Sequence, residues 1–162
     1  MKLIALTTHP FFVTFSIQVL LAYEWAFAGI EKIIGGQFVP NMPKVLARFA
    51  DGNPHTWYVN SFLVWATQIP TVFGHLVQWG EFLAGIGLFL TLILYIFGKV
   101  QWQKKLAMSV AIFSLLVGVW MNIQFYFAAG WNNVSTHGLN VILFWTQLIL
   151  IVFWSYRLKK EA

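Results

Sequence analysis

Apolar residues run through this chain in long unbroken blocks, not in the short amphipathic repeats of a water-soluble protein. Four blocks, residues 11–33, 70–97, 106–129 and 138–156, are each long enough to cross a hydrocarbon core, which takes about 20 residues of α-helix. The pattern predicts an all-α integral membrane protein, a four-transmembrane-helix bundle forming a single domain. Gly35 and Gly36 follow the first block and suit a helix-ending turn. The stretch between the first two blocks has a different character. Val45, Leu46 and Phe49 share one helical face, with Lys44 and Arg48 elsewhere, which predicts a short helix lying at the membrane interface. DGNP at 51–54 is a turn signal. Residues 56–69 are amphipathic and rich in Trp and Tyr, which suits the headgroup level. A connection of roughly 35 residues is longer than a plain connector needs, so this loop is expected to carry short interfacial helices and to cover something.

Composition agrees. Of 162 residues, 59% are hydrophobic and 9% charged, where a soluble domain carries about 25% charged residues. The net charge of +5 raises the question of nucleic acid, but the cations follow membrane topology instead. Lys2, Lys99, Lys104, Lys105, Arg157, Lys159 and Lys160 fall on the side shared by both ends of the chain and the middle turn, against Lys44 and Arg48 on the other. The positive-inside rule then predicts a multi-pass protein of the cell membrane with cytoplasmic termini and an external loop. No nucleic-acid partner is expected. The absence of cysteine removes thiol chemistry and thiolate metal sites. AFA at 26–28 has the look of a signal cleavage site, but the long apolar run and the weak basic region before it predict an uncleaved helix.

Within the spans, ionisable and polar side chains are costly and normally face the bundle interior or a cavity. Glu24 and Glu31 are seven residues apart on one face of the first helix, with Lys32 near its end. On the second, Gly74, Gln78, Glu81 and Gly85 form one stripe, with Gly80, Ala84 and Gly87 as a small-residue stripe beside it. Ala22, Ala26 and Gly29 form another on the first helix, permitting close approach in lipid. Counted from the external helix ends, Glu24 and Glu81 each lie about 15 Å deep, so they are expected to meet. Close carboxylates share a proton, the exchange that quinone chemistry requires. Asn122 and Gln124 on the third helix, and the stripe His137, Asn140, Gln147 on the fourth, place nearly all remaining polarity in the outer half, with an apolar inner half. This predicts a polar pocket in the outer leaflet, roofed by the long loop. Its candidate catalytic residues are Glu24, Glu81 and Lys32; Glu31, His75, Gln78, Asn122, His137 and Asn140 are candidates for binding substrate or quinone. No metal site is expected, although His75 and His137 are possible paired axial ligands for haem. His9 and His55 read as loop and interface residues. Trp79, Trp120 and Trp131 are candidates to flank a flat ring.

The order AFAGIEKI, FADGNPHTWY, LVQWGEFLAGIGLFLTL, followed by two further spans, resembles the DoxX/DoxD group of four-helix membrane proteins, closest to the DoxD type. The resemblance covers most of the chain and concentrates in residues 22–95. It rests on the G-x-x-K of Gly29 to Lys32, the GNP of Gly52 to Pro54, and the G-E-x-x-x-G-x-G-L of Gly80 to Leu88. It implies a small membrane subunit of a thiosulfate:quinone oxidoreductase-like enzyme, with Lys32 and Glu81 as its ionisable motif positions and quinone as electron acceptor. The alternative is a non-catalytic structural or assembly subunit of a larger respiratory or photosynthetic complex, docking through its small-residue stripes and aromatic belts. Expected partners are the lipid bilayer and other complex subunits or further copies of itself. A transporter would be supported by inverted repeats, and none is visible.

Overall fold

The computed structural model describes residues 11–161. Lys2 and His9 lie outside the described residues. Every regular element among those described is helical: α1 (Phe12–Gly35), α2 (Met42–Ala50), α3 (Thr56–Tyr58), α4 (Val64–Gln68), α5 (Pro70–Phe97), α6 (Gln101–Phe125) and α7 (Val134–Lys160). π-helical turns join α3 to α4 (Val59–Leu63) and extend α6 (Tyr126–Gly130). Four of these helices, α1, α5, α6 with its extension, and α7, are long and apolar enough to cross a membrane. The chain is a multi-pass membrane protein.

Two boundaries differ from the hydropathy pattern. α6 begins at Gln101, not near 106, because Gln103 Oε1 accepts the backbone N–H groups of Lys99 and Val100 at 3.0 and 3.3 Å. The basic stretch therefore starts the helix instead of forming the turn. α7 begins at Val134, not near 138, because the Asn133 side chain caps it, accepting from the N–H groups of Ser135 and Thr136 at 2.9 and 3.2 Å. Caps satisfy the free N–H groups of a first turn and leave no trace in apolar periodicity.

Chain order runs round the bundle, α1 on α5, α5 on α6, α6 on α7, with α7 closing more loosely on α1. The two ends differ. The loop end carries residues 36–69; the tail end carries the α5–α6 turn and the end of α7. Close approach fixes the α1–α5 register: a Cβ at Gly29 would strike the Phe82 backbone, and one at Gly85 the Ala26 backbone. Further along, Gly74 lies against Val39 and Met42, beyond the end of α1. So α5 overshoots α1 at the loop end.

The bundle core centres on Leu21, Trp25, Leu88, Met108, Leu115 and Trp154. A second cluster, Met42, Leu46, Tyr58, Leu63 and Ala128, packs the loop helices down onto the bundle, with Lys44 and Arg48 exposed as expected. Asn53 staples this roof. Its Nδ2 donates to the carbonyls of Phe49 and Phe127, both at 2.9 Å, and its Oδ1 accepts the His55 N–H at 2.9 Å. Gly52 supplies the positive φ of 65° that turns the chain there, which only glycine adopts without strain. At the tail end, Arg157 Nη2 donates to the Tyr95 hydroxyl and to Glu161 Oε1, both at 2.6 Å.

The half of the bundle toward the tail is not purely apolar. Gln18, fully buried, donates from Nε2 to the Leu88 carbonyl at 3.0 Å and the Thr91 hydroxyl at 3.1 Å, and accepts the Trp154 indole N–H at 2.6 Å. This clasp ties α1, α5 and α7 with every Gln18 atom partnered.

Candidate functional site

The two carboxylates expected to meet do not. Glu24 and Glu31 share a face of α1, as their spacing requires, but that face is exposed. The buried stripe of α1 is Gln18, Leu21, Ala22, Trp25 and Gly29. Depth counted from the helix ends fails because α5 overshoots α1: with Gly29 beside Phe82, the level of Glu81 corresponds to the last turns of α1, well beyond Glu24. Glu81 is paired with Lys32 instead, Nζ to Oε2 at 2.6 Å. Lys32 also reaches the Ala28 carbonyl at 3.3 Å, and its ammonium lies 5.3 Å from the centre of the Phe38 ring. Glu81 is 2% exposed and the Lys32 side chain 25%. The pair therefore joins a buried anion to a cation at the rim. Burial of a carboxylate at this depth demands such a partner.

The predicted stripe on α5 holds, with Gly74, Gln78, Glu81 and Gly85 all buried. His75 is exposed, its Nδ1 3.2 Å from Gln78 Nε2. His137 is also exposed, its ring 5.0 Å from that of Tyr126. The structure does not bring the two histidines together: they sit on α5 and α7, diagonal helices of the bundle.

Asn122 and Asn140 do come together. They face one cavity of about 250 Å³ between α6, its π extension and α7, walled by the rings of Tyr126, Phe127, Phe144 and Trp145. Asn140 Nδ2 donates to the Thr136 carbonyl at 2.9 Å, which leaves its oxygen and its second N–H uncommitted among the described residues. Asn122 is 1% exposed. Its Nδ2 donates to Gln147 Oε1 at 3.0 Å, while Asn122 Oδ1, Gln147 Nε2 and the Trp25 indole N–H are buried without partners among the described residues. Unpaired groups of this kind are rare in a native interior.

A second cavity of about 230 Å³ lies under the loop helices, between Phe49, Tyr58, Phe62, Trp65, Phe73, Trp120 and Gln124. The Tyr58 hydroxyl donates to the Gln124 carbonyl at 3.3 Å, and burial holds it above its ordinary range. The single roofed polar pocket expected from the sequence is thus two cavities: the roofed one is lined mainly by apolar side chains, with Gln124 among them, and Asn122 and Asn140 line the other. Of the tryptophans singled out, Trp120 lines the roofed cavity, Trp79 is exposed, and Trp131 donates to the Ala128 carbonyl at 3.1 Å. Trp145, Trp25 and Gln18 went unnoticed. The lone glutamine in the first span was the available signal for the clasp; nothing local distinguishes Trp25 or Trp145 from the other membrane tryptophans. A cavity with aromatic walls and a few convergent polar groups suits a flat conjugated ring.

Comparison with protein-family models, with curated proteins and with solved structures gives no match.

Proposed function

We propose that this chain is the quinone-binding membrane subunit of a redox complex of the DoxX/DoxD kind, serving oxidation of thiosulfate or a related sulfur compound. The observation that carries the reading is the cavity between α6 and α7, where Asn122 and Asn140 converge among four aromatic rings. A bound quinone would supply the electron-accepting group that side chains lack. Asn122 and Asn140 would hold its polar edge, and Phe127, Phe144 and Trp145 its faces. The Lys32–Glu81 pair, at the resemblance's two ionisable motif positions, locks α1 to α5 away from this cavity. Its role here is structural, and Glu24 has no part in a proton-sharing dyad. In the membrane, the basic tail end is cytoplasmic, and the loop end, with the quinone cavity near it, lies toward the external face. The test is thiosulfate-dependent quinone reduction by the purified complex. Asn122→Leu is expected to abolish it while the complex stays assembled; full activity in Asn122→Leu would refute the reading.

One observation favours a second reading, an assembly subunit. Glu24 stands near the middle of α1, roughly 17 Å from either end at about 1.5 Å per residue. It is exposed and has no hydrogen bond or ion pair among the described residues. A bare carboxylate at the bilayer centre costs about 2.5–3.5 kcal/mol on insertion scales, a cost that a partner helix offering a cation or hydrogen-bond donor offsets. On this reading Glu24→Leu releases the chain from its complex and leaves quinone binding intact. Retention at full stoichiometry would remove it.

A further inference from the structure

The π turn Tyr126–Gly130 stands between the two cavities. Tyr126 and Phe127 line the one between α6 and α7, while Ala128 lines the one under the loop helices. π turns are rare and concentrate at functional sites, and the last carbonyls of a helix lack intrahelical donors. Here side chains supply them. Asn53 Nδ2 donates to the Phe127 carbonyl at 2.9 Å, the Tyr58 hydroxyl to the Gln124 carbonyl at 3.3 Å, and the Trp131 indole N–H to the Ala128 carbonyl at 3.1 Å. Rings from the roof close on the same residue. His55 and Trp57 meet Phe127 edge to face, with centres 5.1 and 4.9 Å apart, and the Tyr58 ring lies 5.7 Å away. Residues 53–58 therefore hold both the backbone and the ring of a residue that walls the α6–α7 cavity.

We propose that Asn53 is a positioning residue for the α6–α7 cavity: its bond to the Phe127 carbonyl keeps this end of α6 in its π register, and Trp57 braces the Phe127 ring from the roof. The proposal rests on the ring-binding reading above and names the residues that shape that site. Phe127 touches the ligand; Asn53 and Trp57 act through it. Asn53 is 7% exposed, so its bonds are shielded from water, and the same Nδ2 holds the Phe49 carbonyl at the end of α2 at 2.9 Å. One amide locks roof to wall. Without it, α-helical bonding can replace the π turn. Each residue of an α-helix is set about 100° round from the last, whereas a π turn fits more residues into each turn, so the change re-aims the rings of Tyr126 and Phe127. The loop thereby governs a cavity to which it contributes no lining residue.

The experiment uses the full chain in lipid nanodiscs with 2-methyl-1,4-naphthoquinone as probe, binding read by tryptophan fluorescence quenching. A second readout needs no ligand: the fluorine resonance of 4-fluorophenylalanine placed at position 127. In Asn53→Ala, binding is expected to weaken roughly tenfold, about the worth of one well-placed aromatic contact, and the fluorine resonance to shift or split. Trp57→Leu, at a side chain that is 59% exposed, keeps the fold and should weaken binding about threefold. Met42→Ala is the control, since it hollows the buried packing of the roof and removes none of the contacts named above. It should lower the unfolding midpoint more than Asn53→Ala does, yet leave binding within about twofold and the resonance in place. Binding that weakens as much in Met42→Ala as in Asn53→Ala overturns the proposal, as does a resonance or an affinity that ignores Asn53→Ala. If Asn53→Ala does not fold, Trp57→Leu decides, and unchanged binding there overturns the proposal. If the resonance responds to Asn53→Ala while quinone binds to no form of the chain, the ring reading fails and the positioning of Phe127 stands. If quinone binds equally with and without Asn53, the positioning fails and the ring reading stands.

Discussion

Two buried glutamines serve this bundle in opposite ways. Gln18, toward the tail end, is surrounded by partners: Leu88, Thr91 and Trp154 use both of its side-chain heteroatoms. Gln147, equally buried, pairs with Asn122 and leaves three neighbouring polar atoms unmatched beside a cavity. A saturated network rigidifies and has nothing to offer a ligand; an unsaturated one is costly unless a ligand or a reorientation completes it. In the reading proposed above, the difference separates the Gln18 clasp, as scaffold, from the Asn122 cluster, as site. The same reading puts the Lys32–Glu81 pair with the scaffold, since it joins α1 to α5 and lines neither of the two cavities described above.

The largest effect should come from the ion pair. Lys32→Met leaves Glu81 buried and uncompensated, an expected loss of about 3–5 kcal/mol, seen as a lowered unfolding midpoint in detergent. Adding Glu81→Met should restore most of it, because a well-packed apolar pair is close to neutral. Gln18→Leu comes next. It orphans the Trp154 indole N–H and weakens the hold on the Leu88 carbonyl, an expected cost of about 2–3 kcal/mol, with quinone binding unchanged. Asn122→Leu should show the reverse: a stability change of about 1 kcal/mol, and binding lost. Similar effects of these two variants on both measures would erase the distinction between clasp and site. The smallest effect concerns the roof. The Tyr58 hydroxyl, ordinarily titrating near 10.0, is held higher by burial. Its neutral form is therefore favoured in the folded state, so its contribution is intact below about pH 10 and declines as pH rises beyond that. Proteolysis within residues 51–69 should increase on that alkaline side, and Tyr58→Phe should remove the dependence.

Apolar block length was enough to read the four membrane-length helices, and the spacing of Val45, Leu46 and Phe49 enough to read α2. The stripe Gly74, Gln78, Glu81, Gly85 was legible because helical periodicity alone puts those residues on one face. Pairing across helices was not. The Glu24–Glu81 expectation assumed level helix ends, whereas the tight contacts at Gly29 and Gly85 slide α5 past α1 and hand Glu81 to Lys32. Asn122 and Asn140 were recognisable as buried polar residues in neighbouring spans. The pairing of Asn122 with Gln147 was invisible, since it needs α6 and α7 placed together in register.

The central claim, that the α6–α7 cavity holds a quinone ring, is tested most directly by photolabelling with an azido-quinone and mapping the adducts by mass spectrometry. Adducts on Tyr126, Phe144 or Trp145, competed by unlabelled quinone and lost in Asn122→Leu, are the predicted result. Adducts confined to Phe62, Trp65 and Phe73 beneath the loop, or insensitive to Asn122→Leu, would contradict it.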